Sequence, residues 1–537
     1  MGKVELLDCT LRDGGYVNDW RFGHSNIVNL FERLVSSGVE YIEVGFLDER
    51  RPFDMDRTIV PDAMSMNKLL GGLDKGRSCI VGMIDYGTCS IDKLLPKEEC
   101  VLDGIRVIFK KQKMRPAIEF CSQVKKLGYK VFAQAVSITS YSDDELEELI
   151  GLVNELNPHA FSLVDTYGLL HKKELMHYFE VADSRLNPAI HLGYHAHNNF
   201  QLAFANCVEL VEQKDTKRDV LVDGTLYGMG KSAGNAPTEL LAGYLNDNFE
   251  KSYRLNQIME AIDVTILDIY REIPWGYAFK FYVSATHDCH PNYVTYLMNK
   301  KKLSMSSISH ILNKLEGDKK LLYDQDYIDK LYLEYQQIEC DDSVSFEALE
   351  KELKGKSILL LAPGKTVKSY EQKIKDYIRD VQPVCISINY IPSNIPVEYA
   401  FLSNAKRYVQ QATELATKTD IKLIATSNVT RAKGDFDYVF SYSDLLDEEA
   451  LIVDNPMIML IRLLNDMKVG NIALAGFDGY EKTELPNYVN ANMEHTFSKE
   501  KANEINLDVR SSLNRLPLTV RYEYITPSLY ENNTGEA

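Results

Sequence analysis

Two histidines one residue apart, in Tyr194-His195-Ala196-His197-Asn198, close a short apolar run from Ile190 to His195. In an extended strand, residues i and i+2 project to one face, so both imidazoles can reach a single point. Two neutral imidazoles suit a divalent ion such as Mn²⁺, Zn²⁺ or Fe²⁺. An isolated His-x-His is as often a packed pair, and its place in the fold decides between the two readings. Near the N-terminus, Leu11-Arg12-Asp13-Gly14-Gly15 sets a guanidinium beside a carboxylate in a glycine-bearing loop. Alone, such a dipeptide is an ion pair. Brought to the histidines, Asp13 would complete a set of two imidazoles and one carboxylate with positions left open for substrate, and Arg12 would be a fixed positive charge for a carboxylate or enolate oxygen. A third segment, Asp223 to Glu239, is glycine-rich; Asn235 and Pro237 read as the cap and first turn of a helix, and the Asn235 side-chain oxygen is a further candidate ligand.

The elements that must position these residues repeat a pattern of apolar run, turn and helical spacing over the first 247 residues. The runs predict strands at Val4–Asp8, Tyr41–Phe46, Cys79–Asp85, Gly104–Phe109, Lys130–Val136, Ala160–Asp165, Ile190–His195 and Val220–Thr225. Between them, Ser25–Ser37, Arg115–Leu127, Ser142–Leu156 and Asn199–Gln213 carry apolar residues at three- and four-residue intervals. Eight such rounds fit a (β/α)₈ TIM barrel, whose chemistry sits where the strands end and whose first, seventh and eighth strands become neighbours on closure. By the same rule Lys110, Gln134, Ser137, Asp165 and Thr166 face the mouth as candidate substrate contacts. Residues 248–354 read as a helical extension, and 355–537 as a second, Rossmann-like α/β domain with strands at Ser357–Ala362, Val384–Asn389, Tyr399–Leu402, Lys422–Thr426, Tyr438–Phe440 and Asn471–Ala475. Its first turn, Pro363-Gly364-Lys365-Thr366, lacks the P-loop pattern, but a helix start there is a candidate phosphate site. His287 and His290 read as a structural pair, since no second half of a zinc site follows. Glu531 to Ala537 reads as a frayed end.

With 45% apolar and 26% charged residues the chain is an ordinary globular sequence, and 537 residues imply more than one domain. The 60 Lys and Arg against 78 Asp and Glu give a net charge of -18, which argues against nucleic acid or anionic membrane as a partner. Nine scattered cysteines without a Cys-x-x-Cys pair, no signal-peptide pattern and no apolar run of membrane-spanning length lead to the expectation of a reduced, cytoplasmic protein.

Leu11-Arg12-Asp13-Gly14, Ile42-Glu43-Val44-Gly45-Phe46, Asp165-Thr166-Tyr167-Gly168, His195-Ala196-His197-Asn198 and Ala233-Gly234-Asn235-Ala236-Pro237, in that order, resemble the DRE-TIM metallolyase superfamily of HMG-CoA lyase-like barrels, and within it the 4-hydroxy-2-oxovalerate aldolases. The resemblance implies a divalent metal, Mn²⁺ or Mg²⁺ with Zn²⁺ or Co²⁺ as alternatives, held by Asp13, His195 and His197 with Asn235 as a further ligand. It also implies a pyruvate-like 2-oxo acid and an aldehyde as substrates, and Glu43 orienting Arg12 or a metal-bound water; a homodimer is the expected assembly. The aldolases carry a histidine base four residues after the arginine, where this chain has Tyr16; Tyr16, His24, a metal-bound hydroxide or Tyr277 are the candidates to replace it. The C-terminal domain is similar to Rossmann-like domains of bacterial surface-polysaccharide enzymes, which implies a nucleotide or nucleotide sugar as a second partner. The alternatives are an acyl-CoA-dependent Claisen synthase, or a non-catalytic barrel joined to a nucleotide-sugar module.

Overall fold

The computed structural model describes residues 2–213, 217–337, 340–430, 435–480, 487–489, 499–517 and 519–531, so the expected frayed end lies outside the described residues beyond Glu531. The chain forms two compact units, Met1–Pro291 and Asn292–Ala537. The helical stretch expected as one extension is divided between them: Leu255–Ala261 and Phe279–Thr286 belong to the first unit, Met305–Leu312 and Ser343–Leu353 to the second.

In the first unit the strands are β1 (Val4–Asp8), β2 (Tyr41–Leu47), β3 (Cys79–Asp85), β4 (Gly104–Phe109), β5 (Lys130–Val136), β6 (Ala160–Asp165), β7 (His191–Ala196) and β8 (Val220–Gly224). Each is parallel to the next, and β1 pairs with both β8 and β2, Asp8 opposite Gly224 on one side and Ile42 on the other, so the sheet closes into an eight-stranded TIM barrel. Strand β7 starts one residue later than expected because the Ile190 N–H is spent on the Asn187 carbonyl in the preceding turn. A two-residue strand, Ile59–Val60, adds outside β2. The surrounding helices bury the expected stripes, as in His24–Ser37, where Ile27, Leu30, Phe31 and Leu34 face inward. The helix expected from Asn199 begins only at Ala203, because Asn198 and Asn199 instead hydrogen-bond the loop after β8 at Gly234 and Ala233.

Most of the barrel interior near the amino ends of the strands is an apolar plug that includes Leu7, Val81, Phe132 and Leu221. The register of β2 against β3 shifts between Glu43 and Phe46. Gly45 sits in that irregularity with φ 151°, and a Cβ there would lie 1.8 Å from the Thr58 carbonyl oxygen.

In the second unit β9 (Ser357–Leu361), β10 (Val384–Ile388), β11 (Tyr399–Leu402), β12 (Lys422–Thr426), β13 (Tyr438–Phe440), β14 (Asn471–Ala475) and β15 (Arg521–Tyr524) form an all-parallel sheet in the order β13-β12-β11-β10-β9-β14-β15. β15 was not apparent from the sequence because it is an edge strand, exposed at alternate positions and polar in consequence. Among the described residues no helix is long and apolar enough to cross a membrane, and the nine cysteines are free thiols.

Gly45→Ala should destabilise the barrel by on the order of 3 kcal/mol, since neither its φ nor the adjacent carbonyl tolerates a side chain. A lowered thermal midpoint with unchanged unfolding of the second unit is the expected outcome; an unchanged midpoint would show that the strand can relax.

Candidate active site

After β1 and Cys9 the chain enters a single π-helical turn, Thr10–Gly14, every residue of which is buried. This places Arg12 and Asp13 side by side at the carboxyl end of the barrel. Arg12 donates through Nη1 to Asp13 Oδ1 at 2.5 Å and through Nε to Glu43 Oε2 at 2.7 Å, and its guanidinium lies 5.7 Å from the centre of the Phe46 ring. Burial disfavours the charge on Arg12, but Glu43 and then Asp13 outweigh it, so the guanidinium titrates well above its ordinary range.

His195 and His197, at the end of β7, have ring centres 5.3 Å apart with planes at 90°. Ligand atoms of Asp13, His195 and His197 all lie within 4.8 Å of one another, and all three residues are buried. Burial raises the Asp13 carboxyl, yet Arg12 first and then His197 and His195 hold it well below the usual carboxylate range. Burial pulls His197 down to about 4, against the opposing pull of Asp13, so its imidazole is neutral at pH 7. An ionised carboxylate and a neutral imidazole are protonation states in which these groups bind a metal.

The loop after β8 folds back over this point. His197 and Asn235 form an antiparallel bridge, and Asn198 N–H donates to the Gly234 carbonyl at 2.8 Å. Asn235 is not the helix cap that local spacing suggested: the helix is Thr238–Asn248, capped at Pro237, and the Asn235 amide instead donates to Asp13 Oδ2. Its Oδ1 is buried without a hydrogen-bond partner among the described residues. At Gly230 a Cβ would stand 2.4 Å from Asn235 Nδ2 and 2.8 Å from Asp13 Oδ2, so only glycine lets the loop close this far. The donor set and the orphaned Asn235 oxygen fit a divalent ion.

Sequence reasoning missed the charges beneath. Arg106, in the middle of β4 and fully buried, donates to Glu43 Oε2 at 3.0 Å, to Gln134 Oε1 at 3.1 Å and to Asp223 Oδ2. Asp223 in turn accepts from His195 Nδ1 at 2.9 Å, which leaves Nε2 as the free face of that ring. The available signal was a lone charge inside Gly104-Ile-Arg-Val-Ile-Phe109. Cys9, His195 and Asp223 also cluster, but burial holds the Cys9 thiol protonated and Arg106 already neutralises Asp223. Lys231, also unforeseen, lies 5.6 Å from the Tyr16 ring centre, and burial lowers its pKa against the pull of Asp13.

Other expected contacts are placed differently. Gln134 is committed to Arg106 and, through Nε2, to Ser162 Oγ at 2.9 Å. Asp165 accepts the N–H groups of Leu169 and Leu170, and Thr166 Oγ1 that of Ser137, so both hold loops. Lys110 is exposed at the rim. Tyr16 packs edge-on against Trp20 and Phe46 at 4.8 and 6.1 Å, as part of the wall of the mouth; desolvation, with Asp13, Asp85 and Glu43 nearby, pushes its phenol up despite Arg12, which disfavours a role as base at neutral pH. Tyr277 is 60% exposed, with no hydrogen bond to the cluster among the described residues, while its neighbour Trp275 donates to the Tyr227 carbonyl at 3.0 Å. His24 has no hydrogen bond to the cluster among the described residues; its backbone N–H donates to Asp56 Oδ1 at 3.0 Å. His287 faces the Val283 carbonyl at 2.9 Å on its own helix.

Residues 3–265 match the HMGL-like family model, and this barrel belongs to the DRE-TIM metallolyase superfamily, whose chemistry depends on a divalent metal. The protein is an enzyme, a lyase of the aldolase type. The chain is 26% identical over 275 residues to 4-hydroxy-2-oxovalerate aldolase 2 of Salinispora arenicola, covering 51% of this chain and 77% of that one. It is 25% identical over 268 residues to the 4-hydroxy-2-oxovalerate aldolase of Pelotomaculum thermopropionicum, covering 49% and 76%. Among solved structures it is similar to the HMG-CoA lyase of Bacillus subtilis, with 17% identity, a TM-score of 0.41, and coverage of 51% of this chain and 95% of that one.

Asp223→Asn keeps the shape beneath His195 but removes the charge that orients it. Metal affinity should fall by roughly 10- to 100-fold with the fold retained, read by titrating Mn²⁺ into the chelator-stripped protein; unchanged affinity would remove Asp223 from the site.

Proposed function

We propose that the barrel makes or breaks the carbon-carbon bond between a pyruvate-type 2-oxo acid and an aldehyde, the chemistry of 4-hydroxy-2-oxo acids. The observation that carries this reading is the convergence of Asp13, His195 and His197 on one point, with the Arg12 guanidinium bonded to Asp13 beside it. Asp13, His195 and His197 would hold the divalent ion, with Asn235 as a further ligand. When bound, that ion supplies Lewis acidity to a chelated 2-oxo acid, making the carbon next to the ketone acidic.

The remaining roles fall to the chain itself. Arg12, kept rigid by Glu43 and stacked near Phe46, faces the charge that builds on the ketone oxygen as the adjacent proton or carbon-carbon bond is lost. Because both its salt-bridge partners are buried, it is pre-set and need not reorganise during the reaction. Lys231 brings a second cation to the mouth, suited to an oxygen of the 2-oxo acid or the aldehyde. Asp223 fixes the His195 ring, and Tyr16, Trp20 and Phe46 form an aromatic wall that limits water at the reacting end. Glu43 and Asp223 act through the groups they orient.

The test is exchange of pyruvate methyl protons with solvent D₂O, followed by NMR, in protein supplied with Mn²⁺. Chelation should abolish exchange, and so should His197→Ala. Arg12→Lys should cost roughly 100-fold or more in rate, because a lysine cannot satisfy both carboxylates and still face the substrate. Tyr16→Phe should cost less than roughly tenfold, below the range of a group that transfers a proton. Exchange that survives metal removal would sink the reading, and a large loss in Tyr16→Phe would return the phenol to the chemistry.

A further inference from the structure

Lys231 carries a charge at the barrel mouth that no residue meets directly. It follows Gly230, whose backbone comes so near the cluster that a Cβ there would lie 2.8 Å from Asp13 Oδ2. The Lys231 ammonium lies 5.6 Å from the centre of the Tyr16 ring. Among the described residues it has no ion pair and no hydrogen bond. The backbone that carries it is well fixed: Gly234 N–H donates to the Lys231 carbonyl at 3.0 Å and Ala233 N–H to Asn199 Oδ1 at 3.2 Å. Ser232, between Lys231 and Ala233, is held at φ 59°, in the left-handed region. A residue other than glycine stays there only where its surroundings enforce it, so the fold sets the place of the lysine.

The charges around it show what is missing. Burial disfavours the ammonium, Asp13 favours it, and Lys110 opposes it as a like charge. Asp13 is already committed to Arg12 and to the Asn235 amide. At the rim, burial raises the Asp85 carboxyl, while Lys110 and then Arg50 oppose that rise, so the charge of Asp85 is answered by those two cations. His290, pulled down to about 4 by burial and then by Lys231, brings no negative charge. A partly buried ammonium costs free energy unless an opposite charge meets it, and here that charge is left to a ligand.

Resting on the aldolase reading above, we propose that the aldehyde partner bears an acid group, a carboxylate or a phosphate, and that Lys231 is the specificity-determining residue that receives it. In that reading the acid of the 2-oxo substrate goes to the ion and its ketone oxygen faces Arg12, so the unanswered ammonium falls to the second substrate. Seated on an aromatic ring instead of a carboxylate, Lys231 turns to an incoming oxyanion without breaking an ion pair of its own. Bonds from ammonium to oxyanion are among the stronger polar contacts in proteins. A neutral aldehyde leaves the lysine unmet.

The test is the addition of pyruvate to matched aldehydes by the full chain supplied with Mn²⁺, followed by NMR, with D₂O exchange of the pyruvate methyl protons measured alongside. Succinate semialdehyde is compared with its methyl ester, and glyceraldehyde 3-phosphate with glyceraldehyde. At least one acidic member should show a kcat/KM roughly tenfold or more above its neutral counterpart, and the pair with the larger ratio identifies the acid. Lys231→Met should bring that ratio to within about twofold of unity, while Lys231→Arg, which keeps the charge, should retain most of it. A ratio taken within each variant cancels any general loss of rate. Lys110→Met should change it less, because Asp85 already shares that charge. Exchange by a native chain that uses acidic and neutral aldehydes equally overturns this inference and leaves the aldolase reading standing, as does a ratio that survives Lys231→Met. Absence of exchange in the native chain overturns both.

Discussion

Two carboxylates, Glu43 and Asp223, are accommodated in the interior of the barrel because Arg106 lies between them with no exposed surface of its own. An unpaired charge at that depth would cost several kcal/mol, so each member is stabilised by the others. The arrangement has consequences above it. Glu43 anchors Arg12, which pins Asp13, and Asp223 orients His195. The cluster of Asp13, His195 and His197 is therefore the upper layer of a continuous set of buried ion pairs and hydrogen bonds.

Those loops complete the enclosure. The segment after β8 makes backbone bonds to the end of β7 and lays Asn235 against Asp13, an approach that depends on the absence of a side chain at Gly230. Trp275, bonded to the Tyr227 carbonyl of the same loop, braces it from behind. Rigid placement of this kind lowers the reorganisation that accompanies charge development, the main contribution such a site makes to rate. In the second unit Asp478 accepts from the Thr366 amide, a group that open α/β sheets commonly offer to phosphate.

The rhythm of apolar runs and amphipathic helices determined the barrel and the second sheet, because parallel strands covered on both faces read as continuous apolar segments. His195, His197, Arg12 and Asp13 were legible from local spacing at strand ends. What the tertiary structure alone decided was how these groups are paired. Arg106 looks like any solvated residue until the barrel sets it against Glu43 and Asp223, 63 and 117 residues away. Asn235 looks like a cap until closure carries it to Asp13 across 222 residues. Gln134 and Thr166, read as substrate contacts, bond neighbours brought in by folding, while Asp165 bonds the backbone of its own following turn. Backbone periodicity is a local property written along the chain, whereas the partner of a buried polar group depends on which distant strand lies beside it, and that is settled only when the sheet closes.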